Sequence, residues 1–278
     1  LALTQRIMSA GHGGQVLLSG ATRELVRDAP QKTRIYRLGG LDVPAVGGYD
    51  AYLTISSRIQ AIAEEELEAG ILREKAEAGL IVVMDARSGD VLAMACWPTY
   101  EPGRFAEYPE PERKKRRANR AIENLYEPGS VIKVFFAAHA LDRGILRRED
   151  MMRSLVPPTV TWDGGRMARF GRRTVSDVHE HPNMSFQDAI VHSSNIGMAL
   201  LGLRLGQPGI SEVFERFGLC QPTGIALPAE GRGKFTSKEE WRPLYSSVSM
   251  AFGYEVMVSP IQLARAFAAV VNGGYLLE

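Results

Sequence analysis

The chain has 278 residues, of which 45% are hydrophobic, and a formal net charge of +1 at pH 7. This composition excludes a disordered chain and is sufficient for one large or two ordinary domains, while the near-zero charge argues against a general affinity for nucleic acid or membrane surfaces. The two cysteines, Cys96 and Cys220, indicate neither a disulfide framework nor a zinc site, and whether they pair depends on the fold.

Residues 1–47 predict a short α/β segment that is too small to bury a core alone. Its predicted elements are a strand at Gln15–Ser19, a helix at Ala21–Asp28 and a strand at Thr33–Leu38. The segment resembles the C-terminal end of class III nucleotide cyclase domains, where a helix leads into a Gly-Gly-Gln-Val-Leu-Leu-Ser strand. Arg6 matches an arginine of that family, but Ala2 stands in place of its asparagine and the metal-binding aspartates are absent. The resemblance therefore predicts a remnant without cyclase activity.

The composition changes near Gly48, and we predict a second domain over residues 48–278. Tyr49–Ile55 alternates as a strand. A helix is predicted from Ser57 to about Lys75, with an apolar face made of Ile59, Ile62, Ala63, Leu67 and Ile71. Leu80–Met84 and Val91–Ala95 then predict a hairpin in the middle of an antiparallel sheet, with the helix packed against it.

The stretch from Pro98 to Arg117 contains four prolines and predicts irregular structure. Its basic run, Arg113–Arg117, lacks interleaved aromatic residues and follows Glu110 and Glu112. We interpret this run as a solvated loop and expect no nucleic-acid partner.

The segment from Tyr126 to Leu141 is the main candidate for chemistry. Ser130 follows a Pro-Gly pair and is a good N-cap, and between Val131 and Ala138 only Lys133 is polar, which predicts a buried helix. Ser130 and Lys133 lie three residues apart and therefore on one face. A buried lysine with a lowered pKa could deprotonate the serine, and the helix N-terminus could hold an oxyanion. The alternative is a capping serine followed by a lysine that reaches solvent.

A second polar group interrupts a predicted helix. Met184–Gly206 is mostly helical from an N-cap at Ser185, but Ser193, Ser194 and Asn195 indicate a break between two helices. The last helix is predicted to begin at Ser259-Pro260 and to end at Gly273.

Together these motifs resemble the Ser-x-x-Lys and Ser-x-Asn motifs of penicillin-binding proteins and serine β-lactamases. From about Tyr49 onward the chain resembles the transpeptidase domain of class B penicillin-binding proteins. Further similar stretches are Leu53–Gln60, Asn119–Ala121, Tyr126–Ser130, Ser193–Gly197 and Gly253–Gly274. The resemblance implies an α+β transpeptidase fold with an antiparallel sheet flanked by a helical subdomain. The family's third motif, Lys-Thr-Gly, does not occur in the sequence, so we expect the C-terminal strands of that fold to be missing.

The resemblance also implies roles for four residues. Ser130 would attack the D-Ala-D-Ala carbonyl of a peptidoglycan stem peptide, Lys133 would take its proton, Ser193 would pass a proton to the leaving group, and Asn195 would position the substrate amide and hold Lys133. Ser194 and His192 are expected to be structural. No cofactor or metal is implied. The implied partners are stem peptides, β-lactams and a glycosyltransferase of the elongation or division machinery, at the outer face of the cell membrane.

Because the third motif supplies an oxyanion donor in the family, we expect turnover by these 278 residues to be poor or absent. Two other functions remain open at this point. One is a non-catalytic module that binds peptidoglycan or a division partner, and the other is a remnant of a nucleotide cyclase signalling fusion.

Overall fold

The computed structural model describes residues 53–277 and the backbone of two short paired strands, β1 (Ile35–Leu38) and β2 (Leu41–Pro44). The predicted strand ending at Leu38 is confirmed by β1. The other elements predicted within residues 1–34 and the domain boundary near residue 47 lie outside the described residues and stay predictions. The chain divides into two compact units, residues 1–123 with 224–230 and residues 124–223 with 231–278.

In the first unit, helix α1 (Ser57–Glu74) packs on a hairpin of β3 (Gly79–Met84) and β4 (Val91–Trp97). Ser56 caps α1, as the polar residue before an apolar-periodic segment should. The buried Gln60 side chain joins helix to strand, because its amide accepts a 2.8 Å hydrogen bond from the Met94 N–H. The predicted helix and hairpin are thus confirmed.

Four expectations for this unit are wrong. Ile62 is 52% exposed rather than part of the apolar face, and the described residues 53–55 do not form a strand. Within the part of the chain that the structure describes, β3 and β4 form a two-stranded sheet rather than the middle of a larger one. The stretch predicted to be irregular contains a 3₁₀ helix (Pro102–Glu107) and helices α2 (Glu110–Arg117) and α3 (Arg120–Glu123).

The basic run is therefore helical and not a loop. Glu110 and Glu112 lie one turn before the basic residues, and Arg113, Lys115 and Arg116 pair with them at 2.7–3.7 Å. Acidic residues in the first turn and basic ones in the last also match the helix dipole, which favours a helix despite the two prolines at its start.

The second unit is built on one large apolar core. Its helices are α4 (Lys133–Asp142), α5 (Phe186–Val191), α6 (Asn195–Arg216), α7 (Pro243–Ala251) and α8 (Pro260–Val271). Its strands are β5 (Val160–Thr161), β6 (Met167–Phe170) and β7 (Arg173–Ser176), which form one antiparallel sheet, and the pair β8 (Lys234–Phe235) and β9 (Val256–Met257).

Helices α4 and α6 both contribute buried side chains to this core. Phe135 and Phe136 of α4 are fully buried, and the Phe136 ring meets the Phe214 ring edge-to-face with centroids 5.9 Å apart. Gly202 of α6 allows close approach of α7, since a Cβ there would lie 2.2 Å from the Ser247 carbonyl oxygen. This packing fixes the N-terminal ends of α4 and α6, where the candidate residues lie.

The predicted starts of two helices are also confirmed. α5 and α8 both begin with a capping box, at Ser185 and Ser259, and Pro260 is the first residue of α8.

Among the described residues, no helix combines the length and apolar character that crossing a bilayer requires. Cys96 and Cys220 are both free thiols.

Candidate active site

The candidate serine lies in a 3₁₀ turn that leads into α4. The turn covers Gly129–Ile132, and the Lys133 N–H donates to the Ser130 carbonyl. The prediction that Ser130 is the N-cap is therefore wrong, because the chain is already helical there and α4 itself begins at Lys133. Residues three apart eclipse each other in a 3₁₀ turn, which is the spacing of Ser130 and Lys133; that their side chains share a face stays a prediction, with Ser130 exposed and Lys133 buried.

Backbone contacts hold this turn in place. Tyr126 and Val258 exchange two N–H···O bonds of 3.1 Å, and the Gly129 N–H donates to the Gly253 carbonyl at 3.1 Å. Gly253 adopts φ 91°, and a Cβ at this position would lie 2.0 Å from the Gly129 carbonyl oxygen. The segment before α8 thus supports the serine turn through a contact that only glycine permits.

The Lys133 ammonium is buried and has three protein acceptors. The residue is 4% exposed, and its Nζ lies 2.6 Å from the Ser193 carbonyl oxygen, 3.1 Å from Ser193 Oγ and 2.7 Å from Asn195 Oδ1. Burial lowers the pKa of Lys133 to about 8, against a smaller opposing effect of the Asp177 carboxylate. The alternative of a lysine that reaches solvent is therefore wrong.

Ser193 and Asn195 come from the predicted break between two helices. Ser193 follows α5 with φ 50°, a left-handed conformation that turns the chain sharply before α6 begins at Asn195. Ser194 caps α6 by accepting from the Gly197 N–H at 2.8 Å, which agrees with its expected structural role. The turn brings both Ser193 and Asn195 into contact with the Lys133 amine.

Asp177 is a member of this site that sequence reasoning missed. It is 8% exposed; its Oδ1 accepts from the N–H groups of Asn195 and Ile196 at 2.6 and 3.1 Å, and its Oδ2 accepts from Ser194 Oγ at 2.5 Å. A carboxylate at this position caps α6 and complements its dipole. The sequence does show an acidic residue directly after a strand and before a polar helix start. It contains no pattern that would pair this residue with Ser194.

Three of the four candidate residues, Lys133, Ser193 and Asn195, are in direct contact, whereas Ser130 is placed by its turn one step before Lys133. The Ser130 side chain is exposed, and within the described residues its hydroxyl is not among the hydrogen-bond partners of Lys133 Nζ. All three donors of the charged amine are directed to other acceptors. Loss of one proton from Lys133 would free a lone pair that could accept from a serine hydroxyl.

His192 directly precedes Ser193 in the chain. His192 stacks on His181 with ring centroids 4.8 Å apart. In the part of the chain described here, no group of three or more His, Cys, Asp or Glu side chains is arranged to hold a metal ion. The chemistry that this arrangement supports is nucleophilic attack by a serine with a lysine as base.

Comparison with known proteins gives a consistent match. The family model for the penicillin binding protein transpeptidase domain matches residues 79–278. The probable peptidoglycan D,D-transpeptidase PenA of Neisseria gonorrhoeae is 34% identical over 230 residues, which cover 83% of this chain and 37% of PenA. The peptidoglycan D,D-transpeptidase FtsI of Escherichia coli K12 is 31% identical over 222 residues, 80% of this chain and 35% of FtsI. The chain spans little more than a third of the length of these relatives.

Solved structures have the same fold. A crystal structure of a peptidoglycan glycosyltransferase from Burkholderia ambifaria superposes with a TM-score of 0.67 at 27% identity, covering 81% of this chain and 63% of that one. The transpeptidase domain of Burkholderia pseudomallei penicillin-binding protein 3 gives 0.66 at 25% identity, covering 81% and 59%. The predicted α+β transpeptidase-like fold is thereby confirmed.

Proposed function

The chain belongs to the penicillin-binding protein transpeptidase family, and from this premise we propose that it carries the acyl-transfer site of a peptidoglycan D,D-transpeptidase. The observation that carries the proposal is the buried Lys133 amine, which follows Ser130 by one turn and contacts both Ser193 and Asn195. The names of the relatives support this function and do not favour the signalling or purely binding alternatives.

In the proposed reaction, Ser130 Oγ attacks the carbonyl carbon of the penultimate D-Ala. Lys133 in its neutral form takes the hydroxyl proton, the C–N bond breaks, and the terminal D-Ala leaves with a proton passed through Ser193. An amine of a second stem peptide then attacks the ester, forms the cross-linking amide and frees Ser130. A pKa of about 8 supports the base role, because roughly a tenth of the lysine is neutral at pH 7.

Asn195 has two proposed tasks, which its two side-chain groups support. Its Oδ1 holds Lys133 at 2.7 Å, and its Nδ2 donates to the Ser176 carbonyl at 3.1 Å, which fixes the orientation of the amide. Because the Nδ2 group has a second N–H, it can also donate to a substrate carbonyl.

We further propose that the 278 residues acylate slowly on their own. The Lys-Thr-Gly motif, which by resemblance lines the site and supplies an oxyanion donor, is not among them. Loss of one such donor typically lowers the rate by a factor on the order of 10²–10³. We also propose that the protein acts at the outer face of the cell membrane, where it would bind stem peptides and a glycosyltransferase partner.

Covalent labelling tests the proposal. The chain is incubated with excess fluorescent penicillin over several hours, and the adduct is located by peptide mass spectrometry. We expect slow labelling on the peptide that contains Ser130, since a β-lactam acylates the same hydroxyl. Ser130→Ala should abolish the label, whereas Ser211→Ala, near the far end of α6, should label like the parent chain.

A label on another residue, or none at millimolar penicillin after a day, would contradict Ser130 as the nucleophile. Complete labelling within seconds would instead contradict slow acylation while supporting the serine. The two parts of the proposal are therefore tested separately.

A further inference from the structure

The three-stranded sheet β5-β6-β7 has an exposed outer face beside the candidate site, and this face is polar except for Met167. Its inner face packs into the core through Val160, Ala168, Phe170 and Val175, all at most 6% exposed. Because side chains alternate along a strand, the neighbouring residues point to the other face. These are Thr161, Met167, Arg169, Thr174 and Ser176, and each is exposed.

Strand register lines up three of these residues. Thr161 pairs with Arg169, and Arg169 pairs with Thr174, so one row across the sheet reads hydroxyl, guanidinium, hydroxyl. Directly opposite side chains have Cβ atoms about 5 Å apart. A planar guanidinium flanked by two hydroxyl donors at this spacing is well suited to a carboxylate.

No carboxylate in the described part of the chain neutralises the charge of this row. Arg169 and its exposed hairpin neighbours Arg166 and Arg172 take part in no ion pair with any residue that the structure describes. Asp163 accepts from the Gly165 N–H, and the Asp177 carboxylate is turned toward the start of α6. The face therefore offers unsatisfied positive charge to an anion.

The row lies a short distance from the candidate site. Ser176 pairs with Met167 in the adjacent row of this face, and its carbonyl accepts from Asn195 Nδ2. The Arg169 row is two residues further along the strands, which corresponds to about 7 Å. An extended peptide covers this distance in two or three residues at ~3.3 Å each.

We propose that Arg169, with Thr161 and Thr174, binds a carboxylate of the peptide substrate that lies two or three residues from the reacting amide. This inference rests on the proposed function, since it takes Asn195 as the residue that positions that amide. Arg169 is a specificity-determining residue in this arrangement, and it favours acidic over amidated peptides.

Peptide binding tests the proposal. Peptides ending in D-Ala-D-Ala are prepared with Glu or with Gln either two or three residues before the reacting amide, and their Kd values are measured by NMR titration at low salt. We expect the Glu peptide to bind roughly three- to tenfold more tightly than its Gln partner in at least one of the two positions. In R169Q this ratio should fall to about one, and in R169K it should be intermediate, because lysine lacks the planar fork.

A matched control separates a local contact from overall charge. Arg148 is also exposed, and R148Q removes the same charge from the connection before the sheet. The Glu-to-Gln ratio should be unchanged in R148Q. A ratio of one in the parent chain, a ratio that survives R169Q, or an equal loss in R148Q would each overturn the assignment.

Failure of this inference is distinguishable from failure of the proposed function. Covalent labelling at Ser130 reports the acyl-transfer site without any acidic peptide, whereas the Kd ratio reports carboxylate recognition without bond formation. Labelling at Ser130 together with a parent ratio of one would remove only the role of Arg169.

Discussion

Asp177 Oδ1 accepts a 2.6 Å hydrogen bond from the backbone N–H of Asn195. Through this bond a buried carboxylate fixes the first residue of α6, whose amide oxygen in turn holds the Lys133 amine. Asp177 contacts none of the proposed reacting atoms, so its effect on the reaction would be one of positioning and electrostatics.

Replacing Asp177 with Asn should change both the stability and the pH dependence. Loss of the charge at the start of α6 should lower the free energy of unfolding by about 1 kcal/mol, since Asn is an acceptable but neutral cap. The Asp177 charge raises the pKa of Lys133, so its removal should shift the acidic limb of the acylation rate profile to lower pH. Thermal unfolding and penicillin labelling between pH 6 and 9.5 would measure both. A limb that stays in place or moves to higher pH would contradict the electrostatic part.

The pH dependence of labelling in the parent chain should report Lys133 itself. The active form of the base is the neutral amine, and burial lowers its pKa to about 8. The labelling rate should therefore rise about tenfold per pH unit up to roughly pH 8 and then level off. Lys133→Arg should reduce the rate by at least about 10²-fold at every pH, because a guanidinium stays protonated. A labelling rate that does not change with pH in the parent chain would contradict this prediction.

His139 should make the second unit less stable in mild acid. The ring is 1% exposed on α4 and is surrounded by Asp142, Arg143, Glu212 and Arg216, and burial lowers its pKa. Because the folded pKa lies below the unfolded value of 6.5, the unfolded state binds the proton first, and stability falls as pH drops through about 6.5.

The measurement is the Tm at pH 7.5, 6.5 and 5.5. His139→Gln removes the titrating group, so its Tm should fall less over this range than that of the parent. His179 is an exposed histidine in the same unit, and His179→Gln is the control that should follow the parent curve. Parallel curves for all three proteins would contradict the prediction.

Gly253→Ala should disrupt the serine turn. The new Cβ would lie 2.0 Å from the Gly129 carbonyl oxygen at a position with φ 91°. We expect a loss of stability of roughly 2–4 kcal/mol and a strong loss of labelling at Ser130. Gly144 also has positive φ, 63°, but a Cβ there meets nothing within 4 Å, so Gly144→Ala should cost only about 1 kcal/mol. Equal effects of the two substitutions would show that φ strain, and not the contact with Gly129, explains the result.

The sequence was sufficient for the elements whose signals are local. The capped starts of α5 and α8, the hairpin of β3 and β4, and the break around Ser194 all depend on turn residues or on hydrophobic spacing within a few positions. Such interactions act within one or two turns of chain, so the residues that cause them are neighbours in the sequence.

Competing local signals explain the errors. The prolines before Arg113 suggested irregular chain, but at the first turn of α2 proline is compatible with a helix, and the glutamates beside it form ion pairs one turn later. Serine is a common N-cap residue, but Ser130 lies within a 3₁₀ turn, so the chain is already helical before α4 begins. In both places, contacts formed in the folded chain outweighed the signal that the residue types gave.

Only the tertiary structure decided how the site is assembled. Lys133 contacts Ser193 and Asn195, which lie about sixty residues later in the chain. Asp177 follows strand β7 and accepts a hydrogen bond from Ser194, 17 residues later. The apolar residues around Lys133 predicted that it is buried, but which groups it bonds depends on distances defined to a few tenths of an ångström. Those distances are set by the packing of α4 against α6 in the core, which no local pattern specifies.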